Sequence, residues 1–107
     1  MTAQFNVYRN TSAYSNQLLP YYVIIQHDCY EDLNTRIFVP LMKHPNLPSW
    51  HNPVAPRVNI EFESLVLYSP MISHIAKNQI KPKDFICNLK PARQDIVAAL
   101  DSLITNT

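Results

Sequence analysis

Glycine is absent from all 107 residues, whereas proline occurs nine times. Every tight turn that needs positive φ must therefore use Asn, Asp or a longer loop. Gly-rich loops that cradle phosphate are excluded. An excess of charge of one sign is lacking too: nine Lys and Arg stand against eight Asp and Glu, for a formal net charge of +1. Neutralisation of phosphates by many cationic side chains is thus not the main source of any binding energy, and charge demands no nucleic-acid partner. No run of about eighteen apolar residues occurs, and Met1 to Asn10 carries no apolar stretch behind a basic start, so neither a membrane span nor a secretion signal is expected.

The strong signatures of metal and nucleophilic enzymes, HExxH, GxSxG and a paired CxxC, are missing as well. Cys29 and Cys87 lie far apart without metal-type or redox-type pairing, which suits free thiols in a reducing cytosol and leaves a single disulfide as the alternative. His27 and Cys29 form a His-x-Cys step that could place two metal ligands on one strand face, but with no second pair at ligand spacing they read as side chains at a strand end. His44 and His51 read as solvated loop residues. The expectation is a chain without catalytic residues, metal or cofactor.

What is present points to a folded chain. Hydrophobic residues make up 47% and charged residues 16% of the sequence, and the length suits one compact domain with one core, residues 1–107. Phe5 and Val7 alternate with Asn6 and Tyr8 as in a half-buried first strand. After a polar loop from Asn10 to Gln17, Tyr21 to Ile25 is dense in aromatic and β-branched residues. Arg36 to Met42 places Ile37, Val39 and Leu41 on one face and most simply pairs antiparallel with that run. Four prolines between Lys43 and Pro56 predict a long surface loop. Val58, Ile60 and Phe62 alternate before Leu65 to Tyr68 returns as the second arm of a hairpin, whose turn has no good turn residue. Met71 to Ile80 fits a short strand or irregular barrel closure equally well.

A C-terminal helix over about residues 91–105 begins with Pro91, a favoured first helical residue. Ile96, Ala99, Leu100 and Leu103 recur behind it at helical spacing, with Val97 and Ile104 widening the arc. Gln94, Asp101 and Thr105 fall on the opposite side, available to a partner. Many short strands and one terminal helix predict a mainly β fold, a small antiparallel β-barrel plugged by that helix. A buried Arg36 would need a carboxylate, with Asp28, Glu31 and Asp32 as candidates, in a structural role. Trp50, the one tryptophan, is expected to cap the barrel, the alternative being an exposed anchor.

Three blocks carry a family resemblance: Gln4-Phe5-Asn6-Val7-Tyr8-Arg9-Asn10, then Val23 to Asp28 with Leu33 to Leu41, and finally Arg93 to Asp101 with Leu103-Ile104. With patterns of the forms QFxVYRN, VxVQSDLLDxLxTRxVxPL and RxEIIxAxDxL at nearly the same spacing, the chain resembles the CcdB toxins from end to end. The resemblance implies an SH3-like antiparallel β-barrel with a C-terminal helix, assembled as a two-fold homodimer in the cytoplasm. It implies a toxin of a type II toxin–antitoxin system that binds the A subunit of DNA gyrase and traps the cleaved-DNA complex. It also implies a cognate antitoxin whose disordered C-terminal segment folds onto the toxin, with operator DNA touched only through the antitoxin. Carried over position by position, the gyrase-facing surface comprises His27, Cys29, Tyr30, Asp101, Thr105, Asn106 and Thr107. Members that poison gyrase tend to end in Gly-Ile, often after Trp, and here the sequence reads Thr105-Asn106-Thr107. Loss of an aromatic hot spot costs at least ~2 kcal/mol of binding. The alternatives to gyrase poisoning are a homologue that only dimerises and holds antitoxin, and an endoribonuclease toxin of the same barrel fold.

Overall fold

The computed structural model describes residues 2–43 and 46–105; His44, Asn106 and Thr107, named above, lie outside them. Among the described residues there are seven strands: β1 (Asn6–Arg9), β2 (Tyr21–Ile24), β3 (Thr35–Met42), β4 (Arg57–Ile60), β5 (Glu63–Leu67), β6 (Ser73–Ala76) and β7 (Phe85–Asn88). They form one curled antiparallel sheet, half of a barrel, in the order β4-β5-β3-β2-β1-β7, with β6 paired to the first half of β3. The helix α1 (Arg93–Ile104) follows. Fold class and C-terminal helix are as the sequence predicts. Pro91 instead belongs to a 3-10 turn, Lys90–Ala92, that leads into the helix.

Both faces of the central strands are buried, which explains why their sequences are near-continuous in apolar residues. On the concave face Phe5, Val7, Tyr21, Val23, Val39, Leu41, Val58, Ile60, Leu65 and Leu67 pack around Ile96 of the helix. On the other face Tyr8, Ile24 and Ile80 are buried beside the half-buried Tyr22, Phe38 and Ile75. The first strand is therefore covered on both sides, and Tyr8 is not the solvent-facing residue that alternation suggested. Its ring stacks on Tyr22 at 5.9 Å and meets Phe85 edge-on at 5.9 Å.

Burial, the nearby Asp84 carboxylate and the Tyr8 phenol, in that order, push the Tyr22 phenol up to about 12. An unfolded chain releases a tyrosine proton near ~10, so the folded state holds the extra proton between these values. Stability from this group is complete below pH ~10 and is lost as pH rises through about 12. Titration followed by phenolate absorbance should show a last step near pH 12. Tyr22→Phe should remove that step and flatten the loss of stability over the same window.

β3 pairs with β2 along Tyr21↔Leu41 to Ile24↔Phe38, as predicted. Its other edge changes partner, from β6 at Thr35 to Phe38 to β5 at Leu41 and Met42. Pro40 sits at the handover. Its carbonyl accepts from the Tyr68 amide at 3.2 Å, so the missing N–H falls on the edge where no strand asks for a donor. The same handover corrects the expectation for Ile37. Val39 and Leu41 are buried, but Ile37 shares their face at the end of β3 that runs past the core, and it is 41% exposed.

The proline-rich stretch is less irregular than expected. Ser49–Val54 forms a 3-10 helix, Ala55 behind it is buried, and Ser69 Oγ donates to the Val54 carbonyl at 2.7 Å. His51 is not simply solvated: its Nδ1 lies 3.3 Å from the Tyr68 hydroxyl. Trp50 does not cap the barrel. It is 76% exposed and stands edge-on to the His51 ring at 4.0 Å. In α1, Ile96 and Ala99 are buried and Leu100 packs against the core, whereas Ile104, counted above with the apolar arc, is exposed.

Candidate partner-binding surface

The chain leaves β2 through a segment held by its own backbone. Gln26 reaches in both directions, its Nε2 donating to the Tyr30 carbonyl at 3.0 Å and its Oε1 accepting from the Ile37 amide at 3.1 Å. His27 then caps the 3-10 turn Asp28–Tyr30, with Nδ1 accepting from the Cys29 amide at 2.9 Å. That bond engages the Nδ1 lone pair, so a neutral His27 ring carries its proton on Nε2. Asp28 Oδ1 accepts from the Gln4 amide at 2.7 Å, tying the turn to the N-terminal segment.

Arg36 closes the far side of the segment. It is only 6% exposed. Its Nε donates to Thr2 Oγ1 at 2.7 Å, one terminal nitrogen to the Leu33 and Thr35 carbonyls at 2.7 and 2.9 Å, and the other to the Glu31 carbonyl at 2.8 Å. The structural role is as expected, but the acceptors are main-chain carbonyls and a hydroxyl, not a carboxylate. A tight turn presents several carbonyls inward at once, and a guanidinium fork can collect them. The outcome is a loop tied down by these bonds that displays Tyr30, 56% exposed, and the exposed Leu33 and Cys29.

The second group of predicted residues sits at the end of α1. Asp101 and Thr105 are exposed, and the Asp101 carbonyl accepts both the Thr105 amide and its hydroxyl at 2.8 Å, which finishes the helix. The helix packs against Ser49–Val54, Ser69–Met71 and Lys90–Ala92. Between them lies a cavity of about 320 Å³ walled by Trp50, His51, Tyr68, Pro70 and Leu103. Within one chain the turn at His27 to Tyr30 and the helix end are thus two patches, each held by different neighbours. Asn106 and Thr107 fall outside the described residues.

Leu33 beside Tyr30 and Phe62 at the hairpin tip are exposed apolar side chains that the sequence did not single out, and Ile104 and Trp50 near the helix end are exposed too, Trp50 as its alternative had it. Prolines on both sides of Trp50 signalled a constrained loop but could not say whether its ring turned in or out. Among the described residues no three His, Cys, Asp or Glu side chains group as metal ligands would, and no helix is long and apolar enough to cross a membrane.

A curled antiparallel sheet with a terminal helix defines a small β-barrel-plus-helix protein, with exposed aromatic side chains at the Tyr30 turn and at Trp50. The family model described as CcdB protein matches residues 4–106, nearly the whole sequence, and the chain belongs to the CcdB family, a family of toxins from toxin–antitoxin systems. No curated protein matches the sequence.

Proposed function

We propose that this chain is the toxin of a type II toxin–antitoxin pair that acts by binding the A subunit of DNA gyrase and holding it on cleaved DNA. The observation that carries the reading is the family match over residues 4–106. The arrangement of Tyr30 and Leu33 on a loop fixed by Gln26, Asp28 and Arg36 supports it. A pre-ordered aromatic anchor loses little entropy on docking, and tyrosine is enriched among the residues that dominate interface energies.

In this reading the protein is one folding unit, works as a homodimer in the cytoplasm, and carries no catalysis of its own. Two-fold pairing lets two copies offer the helix ends and the Tyr30 loops to one target. A cognate antitoxin neutralises it with a disordered segment that folds on binding, and operator DNA is reached through the antitoxin, in keeping with a net charge of +1.

Induced expression, with soluble protein verified, is expected to arrest growth and to accumulate DNA cleaved by gyrase. Tyr30→Ala should weaken the arrest, because losing an aromatic hot spot costs at least ~2 kcal/mol, roughly thirtyfold in affinity. Since Tyr30 is mostly solvated, its thermal stability should stay close to that of the parent. Unimpeded growth at full soluble expression contradicts the proposal, and transcript cleavage by the purified protein would favour an endoribonuclease instead.

A further inference from the structure

A cavity of about 580 Å³ opens on the sheet face away from α1, and Arg36 forms part of its wall. A guanidinium stays ionised at every relevant pH, and buried charges are ordinarily paired with an opposite one. Among the described residues the Arg36 group is bonded only to neutral oxygens, of Thr2, Glu31, Leu33 and Thr35. Among the described residues no carboxylate stands within ion-pair distance of it; the ion pair they form is Lys43 to Glu63, at 3.5 Å. Four of its five N–H groups are used by those bonds, and the fifth, on the nitrogen that holds Glu31, has no partner among the described residues.

The rest of the wall supplies more donors. Thr2 Oγ1 accepts from Arg36 and the Tyr8 hydroxyl accepts from Asn6 Nδ2 at 3.2 Å, so each keeps an O–H proton to give. Lys77 also lines the cavity, and its ammonium has no protein partner among the described residues. The lining also holds the apolar Ile80, Pro82 and Phe85, of which Ile80 and Phe85 pack beside Tyr8. We propose that this cavity is a binding site for a ligand with one carboxylate and an apolar body, the carboxylate meeting Arg36, Lys77 and the two hydroxyls.

Charge selects the ligand class. Arg36 and Lys77 face one acidic lining residue, Glu31, which leaves one positive charge for a carboxylate and under-compensates a phosphate dianion. Size is adequate, since ~150 Å³ already accommodates benzene in a closed cavity. The carboxylate has two sources with the same chemistry, a small organic acid or an acidic side chain on a peptide. His27, Cys29, Tyr30 and Asp101 do not line the cavity, so the proposal does not rest on the gyrase reading, although Arg36 serves both the cavity wall and the loop that displays Tyr30.

The test is titration of the full chain with benzoate, followed by backbone amide NMR, with benzamide as the uncharged isostere. Benzoate is expected to shift the amides of Tyr8, Ile80 and Phe85, benzamide to leave them in place, and Lys77→Met to weaken benzoate roughly fivefold. Lys77 is exposed, so this variant reads the site without disturbing the loop that Arg36 holds. A glutamate-containing tetrapeptide that displaces benzoate assigns the carboxylate to a protein partner; benzoate bound without displacement assigns it to a small acid, and both results support the site. No shifts with benzoate, equal shifts with benzamide, or unchanged affinity in Lys77→Met would overturn it.

Discussion

Arg36→Ala is expected to cost about 3–5 kcal/mol of folding stability, because it removes four bonds from a buried cation and strands the main-chain carbonyls that accepted them. For a protein whose total stability lies near ~5–15 kcal/mol this is a large share. Arg36→Met separates the causes: it keeps most of the hydrocarbon stem but offers no donors, so it should lose nearly as much as alanine. Were packing of the stem the main contribution, Met would instead sit close to the parent. Urea unfolding reads the difference as a fall in midpoint at constant slope. Because Arg36 also holds the loop that displays Tyr30, both variants should blunt toxicity more than Tyr30→Ala does.

That loop illustrates what the sequence could and could not show. Its position was legible, since Tyr21 to Ile25 and Arg36 to Met42 are so rich in β-branched and aromatic residues that the polar segment between them must be a connection. The partner of Arg36 was not. A carboxylate was expected because a buried charge calls for one, yet Glu31 supplies its main-chain carbonyl, an acceptor every residue possesses and no sequence pattern advertises.

Non-local pairing hid the rest. β7 is four residues, Phe85 to Asn88, with no alternation to distinguish it from a loop, and it is a strand because β1 lies beside it. Asn6↔Asn88 and Val7↔Cys87 join the two ends of the chain, and a contact across that separation leaves no local trace. β6 was ambiguous for the same reason, its register being set by β3. The helix was legible because its apolar spacing is local. Ile104 was misjudged because periodicity fixes a side of the helix and not how far the sheet extends beneath it. The resemblance named residues for a candidate surface, whereas the exposure of Trp50 and Leu33 required the fold.

The missing glycine has its sharpest consequence at the β4–β5 hairpin. Ile60 pairs with Glu63, so the turn does not use the expected Asn, Asp or longer loop: Glu61 and Phe62 form a two-residue loop with φ of 50° and 69°. Positive φ at both positions is the type I′ geometry that suits the twist of the flanking strands and favours Asn-Gly. Each side chain with a Cβ held there costs about 1–2 kcal/mol. Phe62 is also fully exposed, so no packing within the chain offsets the strain. Combining Glu61→Asn with Phe62→Gly should raise stability by about 2 kcal/mol, even after the greater freedom glycine gives the unfolded chain, and lift Tm by roughly 8–15 °C. The Cys87 thiol, pushed up by burial and then by Glu61, should fall part of the way towards its ordinary value and react faster with alkylating reagents. Phe62→Ala distinguishes backbone from side chain: alanine keeps the Cβ, so it should recover little of the gain. An equal rise in Tm for Ala and Gly would place the cost in the exposed ring and not in the left-handed backbone.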